Sequence, residues 1–362
     1  MEGVMMRNGD RYAVAVRTAD NNITVRTDTY HFASAGVRKI PVIRGMVSFV
    51  DSLVLGMRSL MFSADLFAEE SEKDMEERLS DEKKKAGKKA AKLRKAGKEK
   101  EAESVIRKAE QSAEKDRASL KTRTESESGK SEDSDNTVLL TLTVILSLVI
   151  SVALFMMLPY FLSRLLKGAG APEFLISIME GVLRLVIFLG YMLAVSRMKD
   201  IQRTFMYHGA EHKCINCIEH GMELSVENVR KSSREHKRCG TSFLLFVMVV
   251  SIVFFLFIRT DSPVLRIVIR LLLVPVVAGV SYEFIRLAGL YDNRLVNLLS
   301  KPGLALQRLT TREPDDSQIE VGIASVEAVF NWKKYENENF GTHYDLTEKD
   351  EPAGKKLTYT LK

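Results

Sequence analysis

The sequence is poor in cysteine: three among 362 residues. That excludes a disulfide framework and points to a reducing compartment. Its opening stretch, MEGVMMRNGDRYAVAVR, lacks an apolar run, so no cleavable signal peptide is expected. No module of aromatic and basic residues accompanies the net charge of +6, which argues against nucleic acid as the partner and for an anionic membrane surface. The mean hydropathy lies near zero, yet apolar and charged residues are segregated. Lys, Glu and Ser dominate residues 67–135, and residues 137–290 hold almost all the long apolar runs.

Four segments in that region read as membrane helices. Thr137–Leu158 is 22 residues without a charge, enough to cross a core of about 30 Å at ~1.5 Å per residue. Phe174–Ser196 carries Glu180 and Arg184, four apart and able to pair on one helix face. Phe243–Ile258 is uncharged but only 16 residues long. Val264–Leu287 has Arg266 and Arg270 near one end, expected to reach for headgroups, and Glu283 and Arg286 near the other. A water-soluble helical core is the competing reading, and several uncharged runs near membrane length weigh against it.

The connection 197–242 holds nine Lys and Arg. The positive-inside rule places it in the cytoplasm, and four crossings then put both termini there as well. The expectation is a multi-pass protein of a cell inner (plasma) membrane. Its fold class is mainly α: a polytopic membrane protein with about four transmembrane helices and a small cytoplasmic portion. Residues 1–36 form a cytoplasmic region with a β-hairpin, in which Tyr12–Val16 and Ile23–Val25 alternate around Asp20-Asn21-Asn22. Residues 37–66 read as an interfacial or re-entrant apolar helix, with sparse charges at Arg44, Asp51, Arg58 and Asp65. Residues 67–135 are a charged linker or insert, whose Lys83–Lys100 stretch has ten basic residues and one acid. That stretch reads as a solvated helix, with contact to anionic lipid as the sharper alternative. Residues 291–336 form a C-terminal helical region: Asp315 and Gln318 resemble a capping box ahead of the stripe Ile319, Ile323, Val326, Phe330. Residues 337–362 read as a polar, loose tail.

The chemistry concentrates in Tyr207-His208-Gly209-Ala210-Glu211-His212-Lys213. His208 and His212 fall on one helix face and can grip one divalent metal, zinc first. Glu211 stands beside them as a base toward water. This is the H-x-x-E-H pattern. Such a site needs a third ligand, and Glu283, 71 residues after His212, is the expected one. Its competing role is an ion pair with Arg286. A rival closed zinc site draws on Cys214, Cys217, His236 and Cys239 in the same loop. Buried, reduced and inert cysteines are the plain alternative.

Several strings together resemble the YqhQ-like family of bacterial membrane proteins: Glu2-Gly-Val-Met-Met-Arg7, Ile40-Pro-Val-Ile-Arg44-Gly45, the His208 string, His236-Lys-Arg-Cys239-Gly-Thr-Ser242-Phe, Tyr282-Glu-Phe-Ile-Arg286, and Pro302-Gly-Leu-Ala-Leu-Gln307 leading to Glu313-Pro-Asp-Asp316. The resemblance covers nearly the whole chain except 67–135 and the tail. The family is commonly labelled a predicted metal-dependent enzyme. The resemblance implies the membrane location and a pattern of Glu2, Arg7, Arg44, His208, Glu211, His212, His236, Arg238, Cys239, Glu283 and Arg286. Cys214 is not part of that pattern. Lys237 stands where the family usually has Pro, and members usually carry a Gly-rich stretch ahead of the first string.

The functional expectation is a membrane-embedded metal-dependent hydrolase with its site at the cytoplasmic face. In that site His208, His212 and Glu283 are ligands, Glu211 is the base, and His236, Cys239, Arg238 and Arg286 support them or replace a ligand. The alternative is a non-enzymatic transport or assembly factor whose charged residues form a lipid groove or partner interface. No protein partner can be named from the sequence.

Overall fold

The computed structural model describes residues 3–30, 36–95, 98–100, 103–109, 111, 114, 134–168, 170–258, 260, 262–291, 293–347 and 357–361. These divide into two compact units. One comprises 1–17, 21–59 and 147–362, the other 18–20 and 60–146.

The chain opens on an antiparallel meander of β1 (Gly3–Asn8), β2 (Arg11–Arg17) and β3 (Ile23–Thr29). The expected hairpin is present, closed by Arg17 opposite Ile23. Asn21 takes φ +63° in the turn, a left-handed conformation that asparagine tolerates better than most residues. Tyr12 through Val16 are all buried, so β2 is covered on both faces.

A long helix, α1 (Ile43–Lys95), follows. Its part in the second unit is helical through the expected basic stretch as far as Lys95, with Lys83, Lys84, Lys85, Lys88, Lys89 and Lys92 solvated.

The first apolar run lies on α2 (Ser134–Val152), a π-helical turn at Ala153–Met157, and α3 (Leu158–Gly168). The break has a sequence cause: Pro159 has no N–H to offer the carbonyl of Phe155, four residues back. Nε of Arg184, on α4 (Glu173–Val195), donates to that carbonyl at 3.1 Å. After α5 (Lys199–Glu219) and the short α6 (Val226–Lys231) come α7 (Gly240–Leu256) and α8 (Pro263–Leu290).

Among the described residues, four helices are long and apolar enough to cross a membrane: 43–67 within α1, 145–165 across α2 and α3, 173–195 and 264–290. α7 is apolar but shorter. The expected Glu180–Arg184 pair is present at 2.8 Å, with both side chains buried. Arg270 departs from expectation. It does not extend outward but is 4% exposed and bonds Glu180 at 2.5 Å. A buried carboxylate between apolar helices draws whatever cation can reach it. Both guanidiniums lie over the ring of Phe255, at 4.9 Å for Arg184 and 4.8 Å for Arg270.

The chain continues through α9 (Arg294–Thr310), α10 (Asp316–Glu327) and α11 (Trp332–Phe340). The capping box forms as expected: the Gln318 N–H donates to Oδ1 of Asp315, and the Asp315 N–H donates to Oε1 of Gln318. Ile319 and Val326 are buried in one core with Val4, Ala13 and Val25 of the sheet and Tyr207 and Cys214 of α5. The tail departs from the loose reading: α11 runs to Phe340, and β4 (Leu357–Leu361) pairs antiparallel with β3. The meander leaves an edge of β3 open, and Thr358, Tyr359 and Thr360 suit a strand.

Candidate metal centre

α5 carries the H-x-x-E-H string, and its polar side chains fasten the loop that returns to it. The Lys213 ammonium donates to the carbonyls of Arg230 and Ser232 at 2.8 and 2.9 Å. Nδ2 of Asn216 donates to those of Ser233 and Glu235 at 2.7 and 3.0 Å. Nδ1 of His212 bonds the Arg234 carbonyl at 2.6 Å. From the other side Gln307, fully buried on α9, clamps the next residue: Oε1 accepts from the His236 N–H at 2.8 Å, and Nε2 donates to the His236 carbonyl at 2.7 Å. The chain so held enters α7 with Cys239 as its N-cap, whose Sγ accepts from the Thr241 N–H at 3.3 Å.

Sγ of Cys239 thereby lies 3.2 Å from Nε2 of His208. Nδ1 of His208 bonds the Thr310 carbonyl at 2.9 Å. A carbonyl accepts only, so Nδ1 of each ring carries a proton and Nε2 is the nitrogen left to face the cluster, a ligand atom once it gives up any proton of its own. One ligand atom from each of His208, His212 and Cys239 falls within 4.8 Å of the others. The rings of His208 and His212 are 4.3 Å apart, centre to centre. Two imidazoles and a thiol, converging and backed by carbonyls, form a group that could hold a metal ion.

Electrostatics reinforces the cluster. Burial raises the Cys239 thiol, but hydrogen bonds and positive charge from His208 and His212 outweigh it and bring it down to about 5. Burial lowers His208, but the Cys239 bond and the Glu211 charge reverse this and raise it to about 9. Burial pushes the Glu211 carboxyl up, against the two imidazoles. Glu211 lines a cavity of about 550 Å³ together with His208, His212 and Cys239. Ile215, Val326 and Phe330 contribute apolar wall, and Arg7 and Arg238 contribute charge. Arg7 bonds Asp51 at 3.3 Å, and Arg238 pairs with Glu219, which also accepts from Nε2 of His236 at 3.2 Å.

The structure thus gathers His208, His212, Glu211, His236, Arg238, Cys239 and Arg7 around one cavity. Glu283 does not join the ligand cluster, and the third donor beside the imidazoles is Cys239. The Glu283 carboxylate is bound by the Arg44 guanidinium, with Nε to Oε1 at 2.7 Å, and accepts from the Val42 N–H at 3.1 Å. Arg286 is a weaker partner at 4.0 Å. A guanidinium that meets both carboxylate oxygens outcompetes a neighbour on the same helix. Glu2 lies outside the described residues.

The four-ligand staple does not form either. Cys214 is buried against α10, where a Cβ on Gly322 would come within 2.9 Å of its Sγ, and Cys217 donates to the Met222 carbonyl at 3.3 Å. Sequence reasoning missed Gln307 and Thr310 as site-builders, since their contribution is a carbonyl clamp and a carbonyl acceptor. Gly209 was also missed: a Cβ there would lie 2.1 Å from the Arg312 carbonyl oxygen, so only glycine lets α5 approach the segment after α9.

The chain is similar to "Uncharacterized protein YqhQ" of Bacillus subtilis (strain 168), 32% identical over 344 residues, which is 94% of this chain and 93% of that protein. No solved structure matches. Neither comparison speaks of a metal or of a reaction. By a match over residues 40–332, the chain belongs to the family described as "Protein of unknown function (DUF1385)".

Proposed function

We propose that the chain is a metal-dependent hydrolase of the membrane surface, with a divalent ion of zinc type held by His208, His212 and Cys239. The observation that carries this reading is the pair of Nδ1–carbonyl bonds, 2.9 Å at His208 and 2.6 Å at His212. They turn both Nε2 atoms toward one thiol, an arrangement that a merely structural histidine does not need. Bound there, the ion supplies Lewis acidity toward a scissile carbonyl or phosphoryl group. Glu211 faces the same cavity and takes the proton from attacking water. Arg7 and Arg238 offer positive charge to an anionic part of the substrate, and the apolar wall limits water. The nine Lys and Arg of 197–242 support a cytoplasmic position for this face, with both termini on that side of a plasma membrane.

The test is metal content by plasma mass spectrometry on protein purified in detergent. The expected result is about one zinc per chain, lost in His208→Ala, His212→Ala and Cys239→Ser while the helical circular dichroism is retained. Metal content that these three substitutions leave unchanged overturns the reading.

The 3.2 Å Cys239–His208 contact at a helix N-cap favours one second reading: a cysteine nucleophile with His208 as its base. It predicts protein that is free of metal as isolated and a Cys239 that is modified stoichiometrically by iodoacetamide.

A further inference from the structure

The sheet, α5 and α10 share one hydrophobic core, which includes Val4, Val25, Tyr207, Cys214 and Ile319. They therefore lie on one side of any membrane the chain crosses. An even number of crossings must separate β3 from α5, and again α5 from α10. Between β3 and α5, however, three segments have the length and apolarity to cross: 43–67, 145–165 and 173–195. Three is odd, and the charged stretch 96–133 contains no further apolar run. Between α5 and α10, 264–290 is long enough, and α7 is shorter. Parity requires α7 to cross with α8, and one of the earlier three not to.

The contacts of α1 identify which. Gly45 packs against the backbone of Gly279, where a Cβ would come within 2.7 Å of its oxygen, and Val42 bonds Glu283, both in the C-terminal half of α8. A helix running alongside α8 would next meet residues near Val276 and Leu272. Instead the Phe49 ring lies 6.1 Å from that of Phe243, at the start of α7. Phe246 in turn stacks on Phe284, so the start of α7 is level with the same end of α8. Asp51 then bonds Arg7 of β1, and the Arg58 guanidinium sits 4.8 Å over the ring of Tyr30, just beyond β3. This part of α1 thus leads from the C-terminal half of α8, past the start of α7, to the sheet, as a helix lying across the spans would.

Its residues are sorted accordingly. Arg44, Asp51 and Arg58 recur every seven residues, and all three engage Glu283, Arg7 or Tyr30. Ile43, Met46, Val50, Leu53 and Met57 follow at spacings of three and four on another face. Of these Ile43, Val50, Leu53 and Met57 are exposed, at 40%, 39%, 59% and 59%. The stripe lies at the same end of the bundle as the exposed Phe284, Leu287 and Leu290 of α8.

We infer that Ile43–Ser59 is an in-plane helix whose apolar stripe is embedded in the lipid at the membrane surface, while α2–α3, α4, α7 and α8 make the four crossings. The partner of the stripe is the bilayer itself. The Arg7 side of the cavity, tied to this helix through Asp51, then stands at headgroup level.

The experiment uses the full chain in lipid bilayers, with tryptophan introduced singly as Ile43→Trp, Val50→Trp or Met57→Trp, and with Val249→Trp on α7 as a depth marker. The signal of the native, buried Trp332 is subtracted. Lipids brominated at shallow or deep acyl positions serve as quenchers. Equal quenching of the three α1 positions, strongest with shallow bromine, is expected, with Val249→Trp quenched best by deep bromine. A spanning α1 would separate positions 43 and 57 by ~21 Å in depth, at ~1.5 Å per residue. Deep quenching of Val50→Trp equal to that at 249, or no quenching at any α1 position, would overturn the inference.

Discussion

Sγ of Cys239 lies 3.2 Å from Nε2 of His208, although 31 residues separate the two. The contact is built from both sides: α5 presents the ring, and the loop clamped by Lys213, Asn216 and Gln307 delivers the thiol. It displaces Glu283 from the ligand set and gives the first prediction. Glu283→Ala should leave zinc stoichiometry unchanged while lowering thermal stability through the loss of the Arg44 pair, with Arg44→Ala behaving alike. Loss of metal in Glu283→Ala with the fold intact would return the carboxylate to the ligand set.

The electrostatics of the metal-free protein predict how Cys239 reacts. Its thiol is brought down to about 5, so it is ionised above that pH, whereas an ordinary thiol ionises near ~8.5. In chelator-treated protein, iodoacetamide should label Cys239 at nearly its full rate at pH 6.5. The rate should fall as pH drops through about 5. Cys214 and Cys217, with thiols that burial pushes up, should stay unlabelled. His208→Ala removes the main stabilising partner and should move the profile toward the ordinary range. Peptide mass spectrometry across pH reads all of this, and a Cys239 that becomes reactive only above pH 8 would contradict it.

Gly209 is a packing requirement inside the H-x-x-E-H string. Gly209→Ala puts a methyl 2.1 Å from the Arg312 oxygen, which must move and carry the Thr310 acceptor of His208 with it. The expected cost is about 1–3 kcal/mol of stability. Metal affinity should also weaken by about 10–100-fold, the usual consequence of losing the partner that orients a ligating imidazole. Competition with a chelating dye measures the second effect separately from the first, and unaltered affinity would contradict the link.

Glu180 holds two buried guanidiniums, those of Arg184 and Arg270. Glu180→Ala leaves both without their carboxylate, a loss of about 3–5 kcal/mol by analogy with other broken buried pairs. Detergent-solubilised protein should melt earlier or fail to accumulate. Replacing all three by apolar residues of similar size should recover much of the stability. A triple variant no better than Glu180→Ala would mean the cluster does more than balance charge.

Local patterns were legible in the sequence. The hairpin around Asn21, the capping box of Asp315 and Gln318, the apolar runs and the one-face spacing of His208 and His212 depend on residues within a few positions of one another, where helix and strand periods act directly. Tertiary structure decided the rest. Whether Glu283 or Cys239 completes the cluster turned on which group Arg44 reaches from 239 residues away. Whether Arg270 faces headgroups or Glu180 turned on how two helices pack. Whether 43–67 or α7 crosses the bilayer rests on the even number of crossings imposed by a core shared between the sheet, α5 and α10. Charge partners and crossing parity belong to the assembled chain: each depends on contacts between segments far apart in sequence, and a periodicity carries no record of its distant neighbour.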